Sequence, residues 1–168
     1  MTPRQCEIAA ESYAACILAR SGYDVLVQYG ANQPQYDLVA VKGEVLQPVS
    51  VKGSQDGGWM LAVKYVKPGV NYHQAIDKWL EHQRKDLIYI FVQFRDVPEN
   101  GAPRAYAATS EEIGVHLKSQ RNGLGHGALY EDWRRDHPRA SHNALIPAEW
   151  TFSASRIESL QIYLGRRR

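Results

Sequence analysis

The sequence predicts an α/β protein in which helices flank a mixed central β-sheet. Its segments follow the order helix, three to four strands, helix, strand, strand, helix. The run LIYIFVQF at 87–94 is apolar almost throughout, as expected of a strand that is covered on both faces. After Pro68-Gly69 the apolar residues change from strand spacing to helical spacing. The chain therefore alternates elements in the manner of a layered α/β domain.

The first half of the chain begins with an amphipathic helix and continues with strands. Apolar residues recur at helical spacing from Arg4 to Arg20, and Gly22 ends this helix. Strands are predicted at 23–30, 36–41, 45–52 and 59–66, with turns at 31–35, around Gly43 and at 53–58. Pro48 lacks a backbone donor, so the strand at 45–52 is expected at an edge or a bulge.

The second half is predicted to contain two capped helices, a short strand and a closing helix. Asn71 is the expected N-cap of a helix whose apolar face includes Trp79. After a strand at 104–108, the sequence TSEE beginning at Thr109 is a capping box for a helix that ends near Ser119. A closing helix is predicted at 153–164, capped by Ser153 or Ser155.

Length and composition predict one domain over residues 1–168, with a core at about 5–119 and an irregular segment and C-terminal helix at 120–168. The net charge of +2 argues neither for nor against an acidic partner. Cys6 and Cys16 lie on one helix, where they cannot easily bridge, and are expected to be core or half-buried thiols. Without a signal-peptide pattern or a long apolar run, we expect a cytoplasmic protein that is not in a membrane.

Three charged positions are predicted to converge. Glu11 borders the apolar face of the first helix, Asp37 begins the second strand, and Lys52 ends the third strand in the sequence VLQPVSVKGSQ. If the second and third strands form a hairpin around Gly43, Asp37 and the stretch from Ser50 to Lys52 lie at one end of the sheet. Alternatively, Lys52 is a solvated strand end, Asp37 caps its own turn, and Glu11 is an ordinary exposed helix residue.

Such a cluster suits the hydrolysis of phosphodiester bonds. Carboxylates and a further oxygen donor hold Mg²⁺ or Mn²⁺ and leave open positions for water and a phosphate oxygen. The lysine ammonium then stabilises the developing negative charge or positions the attacking hydroxide.

The helix with Glu11 followed by YDLVAVKGEVLQPVSVKGS resembles the PD-(D/E)XK nuclease superfamily, and in spacing the archaeal Holliday-junction resolvases. The resemblance covers roughly residues 5–94 and implies a restriction-endonuclease-like three-layer core that cuts DNA with Mg²⁺ or Mn²⁺. Position by position, it implies Glu11, Asp37 and Ser50 as metal-binding positions and Lys52 as the catalytic lysine. A homodimer is a further expectation from the resemblance.

Ser50 departs from the pattern, because the family has Glu, Asp or Gln at this position. A serine hydroxyl is a neutral and weaker ligand than a carboxylate. Three outcomes remain open: a metal held by Glu11, Asp37 and a backbone carbonyl; a carboxylate that has migrated to Glu44 or Glu7; or a domain that has lost catalysis and only binds nucleic acid or another partner.

Contacts with nucleic acid are expected from basic side chains outside this cluster. The candidates are Lys64, Arg134, Arg135 and Arg139. The three arginines are interleaved with Tyr130 and Trp133, although acidic neighbours make a solvated loop an alternative. His126, His137 and His142 lie in the same segment but lack zinc-finger spacing, so a metal role there is not favoured.

Overall fold

The computed structural model describes residues 1–28, 35–136, 138–139 and 145–166. The helices are α1 (Pro3–Arg20), α2 (Tyr72–Glu81), α3 (Ser110–Ser119), α4 (Trp133–Asp136) and α5 (Ala154–Gly165). The strands are β1 (Asp24–Val27), β2 (Leu38–Lys42), β3 (Val45–Ser54), β4 (Gly58–Trp59), β5 (Ile88–Gln93), β6 (Arg104–Thr109) and β7 (Leu129–Tyr130). Short 3-10 helices cover Val63–Tyr65 and Ala148–Trp150.

Five of these strands form the central sheet, in the order β1-β2-β3-β5-β6. Neighbours pair antiparallel except for β3 and β5, which pair parallel from Val49 opposite Ile88 to Ser54 opposite Gln93. The predicted mixed sheet is therefore confirmed. The short strands β4 and β7 pair separately as a two-stranded sheet.

Helices cover both faces of the central sheet. On one face, Leu18 of α1 and Ile157 of α5 pack with Ile90 of β5. On the other face, Trp79 of α2 and Ile113 of α3 belong to a second buried cluster that includes Phe91. Because successive residues of β5 enter opposite clusters, all six of its side chains are buried, as its apolar sequence predicts.

The predicted N-caps are confirmed at three helices. The side chains of Asn71, Thr109 and Ser153 accept hydrogen bonds of 2.9, 3.2 and 3.0 Å from backbone N–H groups three residues later. Each bond satisfies one of the amide groups that have no partner within the first helical turn. Local sequence is sufficient here because donor and acceptor lie within three residues of each other.

The prediction of a strand over residues 59–66 is wrong. Only Gly58–Trp59 is a strand, and Val63–Tyr65 is a 3-10 helix. Leu61 and Ala62 are both buried, which breaks the alternation that a strand needs, and the N–H of Ala62 donates to the Gly127 carbonyl at 2.8 Å. Tertiary contacts therefore turn this chain segment out of the sheet. The turn predicted at 31–35 lies mostly outside the described residues.

Pro48 lies in a central strand, which corrects the expectation that its strand is an edge. It is opposite Val39 of β2, but the pairing of β3 with β5 begins only at Val49. The missing amide donor is tolerated because β3 has no β5 partner at this residue. The strand also extends to Ser54, so Lys52 lies within the strand and does not end it.

The segment after α3 contains few regular elements and is fixed to the sheet by Glu131. Its carboxylate accepts hydrogen bonds of 2.6 and 2.9 Å from the Arg104 guanidinium of β6 and one of 2.7 Å from the Tyr106 hydroxyl. Burial alone raises the pKa of Glu131, but these donors outweigh burial and hold it below its ordinary value. The bidentate pair therefore stabilises the ionised form of the carboxylate.

Two expectations about exposure and membranes have plain outcomes. Cys6 is buried as expected, whereas Cys16 is exposed because it points away from the sheet-facing side of α1. In the part of the chain that the structure describes, every helix is too short or too polar to cross a lipid bilayer.

Candidate functional site

The carboxylate of Asp37 is hydrogen-bonded directly to β3. Its Oδ2 accepts the backbone N–H of Val51 at 2.6 Å and the Ser50 hydroxyl at 3.3 Å. Its backbone N–H donates to the Val49 carbonyl at 2.9 Å, and its carbonyl accepts the N–H of Gln28 at 3.0 Å. Asp37 is therefore fixed through both its backbone and its side chain.

The local strand geometry explains this arrangement. Strand β2 begins at Leu38 opposite Val49, whereas β3 continues for several residues past this pair. The N–H of Val51 consequently has no strand partner on the β2 side, and the carboxylate of Asp37 satisfies it. Asp37 therefore caps the neighbouring strand. Its Oδ1 accepts no hydrogen bond from the part of the chain that the structure describes, and it is available to a ligand.

Ser50 is almost fully buried, with 3% of its surface exposed. Because its hydroxyl donates to Asp37, the oxygen lone pairs remain available as an acceptor or a metal ligand. Ser50 lies opposite Tyr89 of β5. Burial and then the charge of Asp37 raise the pKa of Tyr89, so this phenol stays protonated. Its hydroxyl donates to Gln83 Oε1 at 2.5 Å.

Lys52 is half-buried and lies opposite Phe91 within the sheet. Its backbone carbonyl accepts a hydrogen bond of 2.9 Å from Trp59 Nε1. Its amine has no hydrogen bond or ion pair with any of the residues described. Lys52 is therefore not at a strand end, and its side chain lies on the same face of β3 as Ser50.

Helix α1, which carries Glu11, packs very closely against β3. A Cβ atom at Gly53 would lie 2.8 Å from the Cys6 carbonyl and 2.9 Å from Ala10 Cβ. Only glycine permits this approach of helix to strand. Gly53, the residue after Lys52, therefore sets the distance between α1 and β3.

The pKa of Glu11 is shifted by burial and by the charges around it. Burial raises the pKa of Glu11, the charges of Asp37 and Glu7 raise it further, and Arg4 and Lys52 lower it by smaller amounts. Glu11 is half-buried on α1. The structure thus brings Asp37, Ser50 and Lys52 to one end of the β2–β3 hairpin, and Glu11 lies on α1 within range of the charges of Asp37 and Lys52.

The two positions suggested for a migrated carboxylate, Glu44 and Glu7, lie at different distances from the site. Glu44 lies in the turn between Lys42 and Val45, at the opposite end of the hairpin from Asp37, so it is excluded. Glu7 Oε2 lies 2.8 Å from Arg4 Nη1, and Glu7 lines a cleft that Lys52 also lines. Glu7 is therefore the nearer of the two acidic alternatives to the site.

The donor set at this end of the hairpin consists of oxygen atoms. The described residues contain no group of three or more His, Cys, Asp or Glu side chains able to hold a metal ion. The candidate metal ligands are therefore the carboxylates of Glu11 and Asp37 and the hydroxyl of Ser50. Mg²⁺ typically takes one or two protein carboxylates and completes its shell with water and substrate phosphates. These residues therefore fit Mg²⁺ or Mn²⁺ by their chemistry.

Two clefts share Lys52 as a lining residue. The first, which we call the tyrosine cleft, has a volume of about 360 Å³, and its lining includes Asp37, Ser50, Lys64, Tyr65 and His82. The second, which we call the helix cleft, has a volume of about 540 Å³ and lies between the start of α1 and the stretch from Val51 to Leu61. Lys52 lines both clefts.

Several lining residues of the tyrosine cleft were missed by sequence reasoning. They are Tyr65, His82, Gln83 and Tyr89. The sequence predicts a strand at Tyr65, and the structure has a 3-10 helix there. Only the packing of the 3-10 helix against α2 places the rings of Tyr65 and His82 together, with centroids 5.5 Å apart. No local pattern in the sequence signals this contact.

The predicted nucleic-acid contacts separate into two places. Lys64 lines the tyrosine cleft, whereas Arg134, Arg135 and Arg139 do not. Arg135 forms an ion pair with Asp96. His126 Nδ1 accepts the N–H of Ala128 at 3.1 Å. His137 and His142 lie outside the described residues.

Comparison of the chain with protein-family models gives no match, and comparison with curated proteins gives none either. The functional interpretation therefore depends on the geometry of the site.

Proposed function

We propose that the protein hydrolyses phosphodiester bonds in DNA with a divalent metal ion, on a restriction-endonuclease-like scaffold of the PD-(D/E)XK type. One observation carries the proposal. Asp37 is hydrogen-bonded to β3 at Ser50 and Val51, directly before Lys52, and its charge also raises the pKa of Glu11. The carboxylate of Asp37, the Ser50 hydroxyl and the unpaired ammonium of Lys52 thus line one cleft, which supports the proposal.

In this proposal Asp37 Oδ1, the carboxylate of Glu11 and the Ser50 hydroxyl would hold Mg²⁺ or Mn²⁺. The metal ion would polarise a phosphate oxygen and lower the pKa of bound water. The ammonium of Lys52 would stabilise negative charge that develops on the phosphate, and no described acidic side chain forms an ion pair with it. Ser50 orients Asp37 through its hydrogen bond.

A second candidate is a binding protein on the same scaffold that no longer cuts. Ser50 favours it, because a neutral ligand replaces a carboxylate at a position 3% exposed. With one negative charge fewer, the site has a lower affinity for Mg²⁺. Binding of nucleic acid through Lys52 and Lys64 does not depend on this charge.

The two candidates are separated by incubating plasmid and branched DNA with the protein in the presence of Mg²⁺, Mn²⁺ or EDTA. We expect cleavage only with metal, and a loss of about 100-fold or more in rate for Asp37→Asn. The matched control is Asp24→Asn, since Asp24 is exposed and lies opposite Val41, at the other end of the sheet.

Each result assigns the protein to one class. Metal-dependent cleavage that Asp37→Asn abolishes and Asp24→Asn preserves supports the nuclease. Salt-sensitive DNA binding without cleavage by the wild type supports the binding protein. A wild type that neither cuts nor binds DNA contradicts both proposals.

A further inference from the structure

The tyrosine cleft has walls that suit a nucleic-acid base. Its floor is the part of β3 that carries Ser50 and Lys52, and its sides come from the 3-10 helix and the C-terminal end of α2. At the rim, the rings of Tyr65 and His82 lie 5.5 Å apart with 32° between their planes. Two rings on the wall of a cleft beside a catalytic lysine provide a stacking surface.

Positive charge accompanies these rings. The Lys64 amine lies 5.0 Å from the centre of the Tyr65 ring, and Lys64 is exposed. An exposed cation–π contact is weak, so the amine exchanges readily for a phosphate. Lys52 lies on the floor of the same cleft. A phosphate and a neighbouring base can therefore be bound by different parts of one cleft.

The far wall of the cleft is rigid and neutral. The Tyr89 hydroxyl donates to Gln83 Oε1 at 2.5 Å, and Gln83 Nε2 donates to the Trp79 carbonyl at 2.7 Å. The amide and the phenol are thus held in fixed orientations at the end of α2. Because neither group is charged, this wall repels neither a base nor a sugar.

The helix cleft shares Lys52 with the tyrosine cleft. Lys52 lines both, and the second cleft also contains Gln55 and Met60, whose surface is 60% exposed. A strand bound beside Tyr65 and extended past Lys52 would come next to the residues of the helix cleft, Met60 among them. We call the two clefts, with Lys52 as the residue that they share, the track.

We propose that this track binds single-stranded DNA, with one unpaired base stacked on Tyr65 and His82 and its phosphate between Lys52 and Lys64. The inference rests on the proposed function, because it takes the same Lys52 as the place where the strand is cut. It adds the substrate class: DNA that is unpaired at the site of cleavage, as in a single strand, a gap or a flap.

A base pair fits this place poorly. In a duplex, each base is stacked between its neighbours and its faces are not available to a protein ring. The cleft of about 360 Å³ is at the lower end of the size range of small-ligand sites, which is the scale of one nucleotide. An unpaired base can rotate out of the strand and stack on an aromatic ring.

The test measures the binding of fluorescently labelled oligothymidylate and of a blunt duplex of equal length by anisotropy, with EDTA present so that nothing is cut. We expect the single strand to bind at least about tenfold more tightly than the duplex, and Tyr65→Leu to weaken the single strand about tenfold with little effect on the duplex. The matched control is Tyr163→Leu, because Tyr163 is exposed on α5 and lines neither cleft.

A second variant keeps the test decisive if Tyr65→Leu loses stability. Lys64→Met changes an exposed side chain, and we expect it to reduce the slope of log affinity against log salt concentration by about 0.7, the value for one phosphate of a single strand. An equal or higher affinity for the duplex overturns the inference. So does unchanged affinity of folded Tyr65→Leu together with an unchanged salt slope of Lys64→Met.

The inference and the proposed function fail in different ways. Cleavage of duplex and single strand at equal rates, with equal affinity, overturns the inference and supports the nuclease. Preferential binding of single strands that depends on Tyr65, without cleavage under Mg²⁺ or Mn²⁺, supports the inference as a binding site and contradicts the nuclease.

Discussion

The indole Nε1 of Trp59 donates a hydrogen bond of 2.9 Å to the backbone carbonyl of Lys52. Trp59 is itself buried and packs edge-on against Phe91, with ring centroids 5.2 Å apart. The backbone at Lys52 is therefore held by β4 as well as by its strand neighbours. A change of the Lys52 side chain consequently leaves the strand in place, which makes this residue a clean site for mutation.

Lys52→Met is expected to lower the rate of metal-dependent DNA cleavage about 100-fold to 1,000-fold, the effect of removing one charge that stabilises the transition state. Its melting temperature should change little, because the amine has no partner among the described residues and methionine keeps most of the apolar stem. Lys42→Met is the control, since Lys42 pairs with Glu158 at the opposite end of the same hairpin. Equal rates for both variants would argue against a catalytic Lys52.

Ser50→Glu is expected to restore the acidic position and to make stability depend on metal. The new carboxylate enters a buried position beside Asp37, where burial and the neighbouring charge both disfavour its ionised form. The melting temperature should fall in EDTA and recover with Mg²⁺ in excess, as followed by circular dichroism. Ser159→Glu, on exposed α5 surface, should show no metal-dependent recovery. If the melting temperature of Ser50→Glu is the same in EDTA and in excess Mg²⁺, metal does not bind at this position.

Glu11→Gln is expected to raise stability at neutral pH and to lower cleavage. Because burial and the charges of Asp37 and Glu7 raise the folded-state pKa of Glu11, its contribution to stability is fully present below its ordinary pKa of about 4.3 and is lost as pH rises through the folded value. The variant should therefore melt higher than the wild type at pH 7, and the difference should shrink toward pH 4. Glu44→Gln, in the exposed turn, is the control. A difference that grows as pH falls would have the wrong sign.

Gly53→Ala is expected to lower both stability and cleavage. The added methyl group would meet backbone of α1 at 2.8 Å, so the helix must move, at a cost of about 1–3 kcal/mol in the free energy of unfolding. This movement also carries Glu11 away from Asp37. Gly165→Ala has open space around its methyl group and should be neutral. Urea denaturation of both variants measures the difference in the free energy of unfolding. An unchanged value for Gly53→Ala would show that α1 can move away from β3 without loss of stability.

The sequence was informative where a structure depends on near neighbours. The N-caps at Asn71, Thr109 and Ser153 could be predicted because each bond spans three residues. The meeting of Asp37 with Ser50 could also be predicted, because hairpin register follows from the position of the turn.

Prediction failed where distant contacts override local preference. Strand-like residues at 59–66 leave the sheet after Trp59, because Ala62 bonds to Gly127 far along the chain. Glu44 is an even number of residues from Ser50, which predicts the same face of a strand, but it lies at the other end of the hairpin. The alternation of side chains between faces does not reveal this distance along the strand. The ring pair of Tyr65 and His82 is equally a product of tertiary packing.

The parallel pairing of β3 with β5 has a consequence for the order of folding. The β2–β3 hairpin closes around a short turn, whereas β3 meets β5 only after a long crossover that includes α2. Closure of long loops is entropically slow, and parallel pairing of distant strands is among the later events in domains of this class. Tyr89 and Phe91 reach Ser50 and Lys52 only at that stage. A nascent chain that has formed the hairpin therefore carries Asp37 and Ser50 together but lacks the walls that make them a binding site.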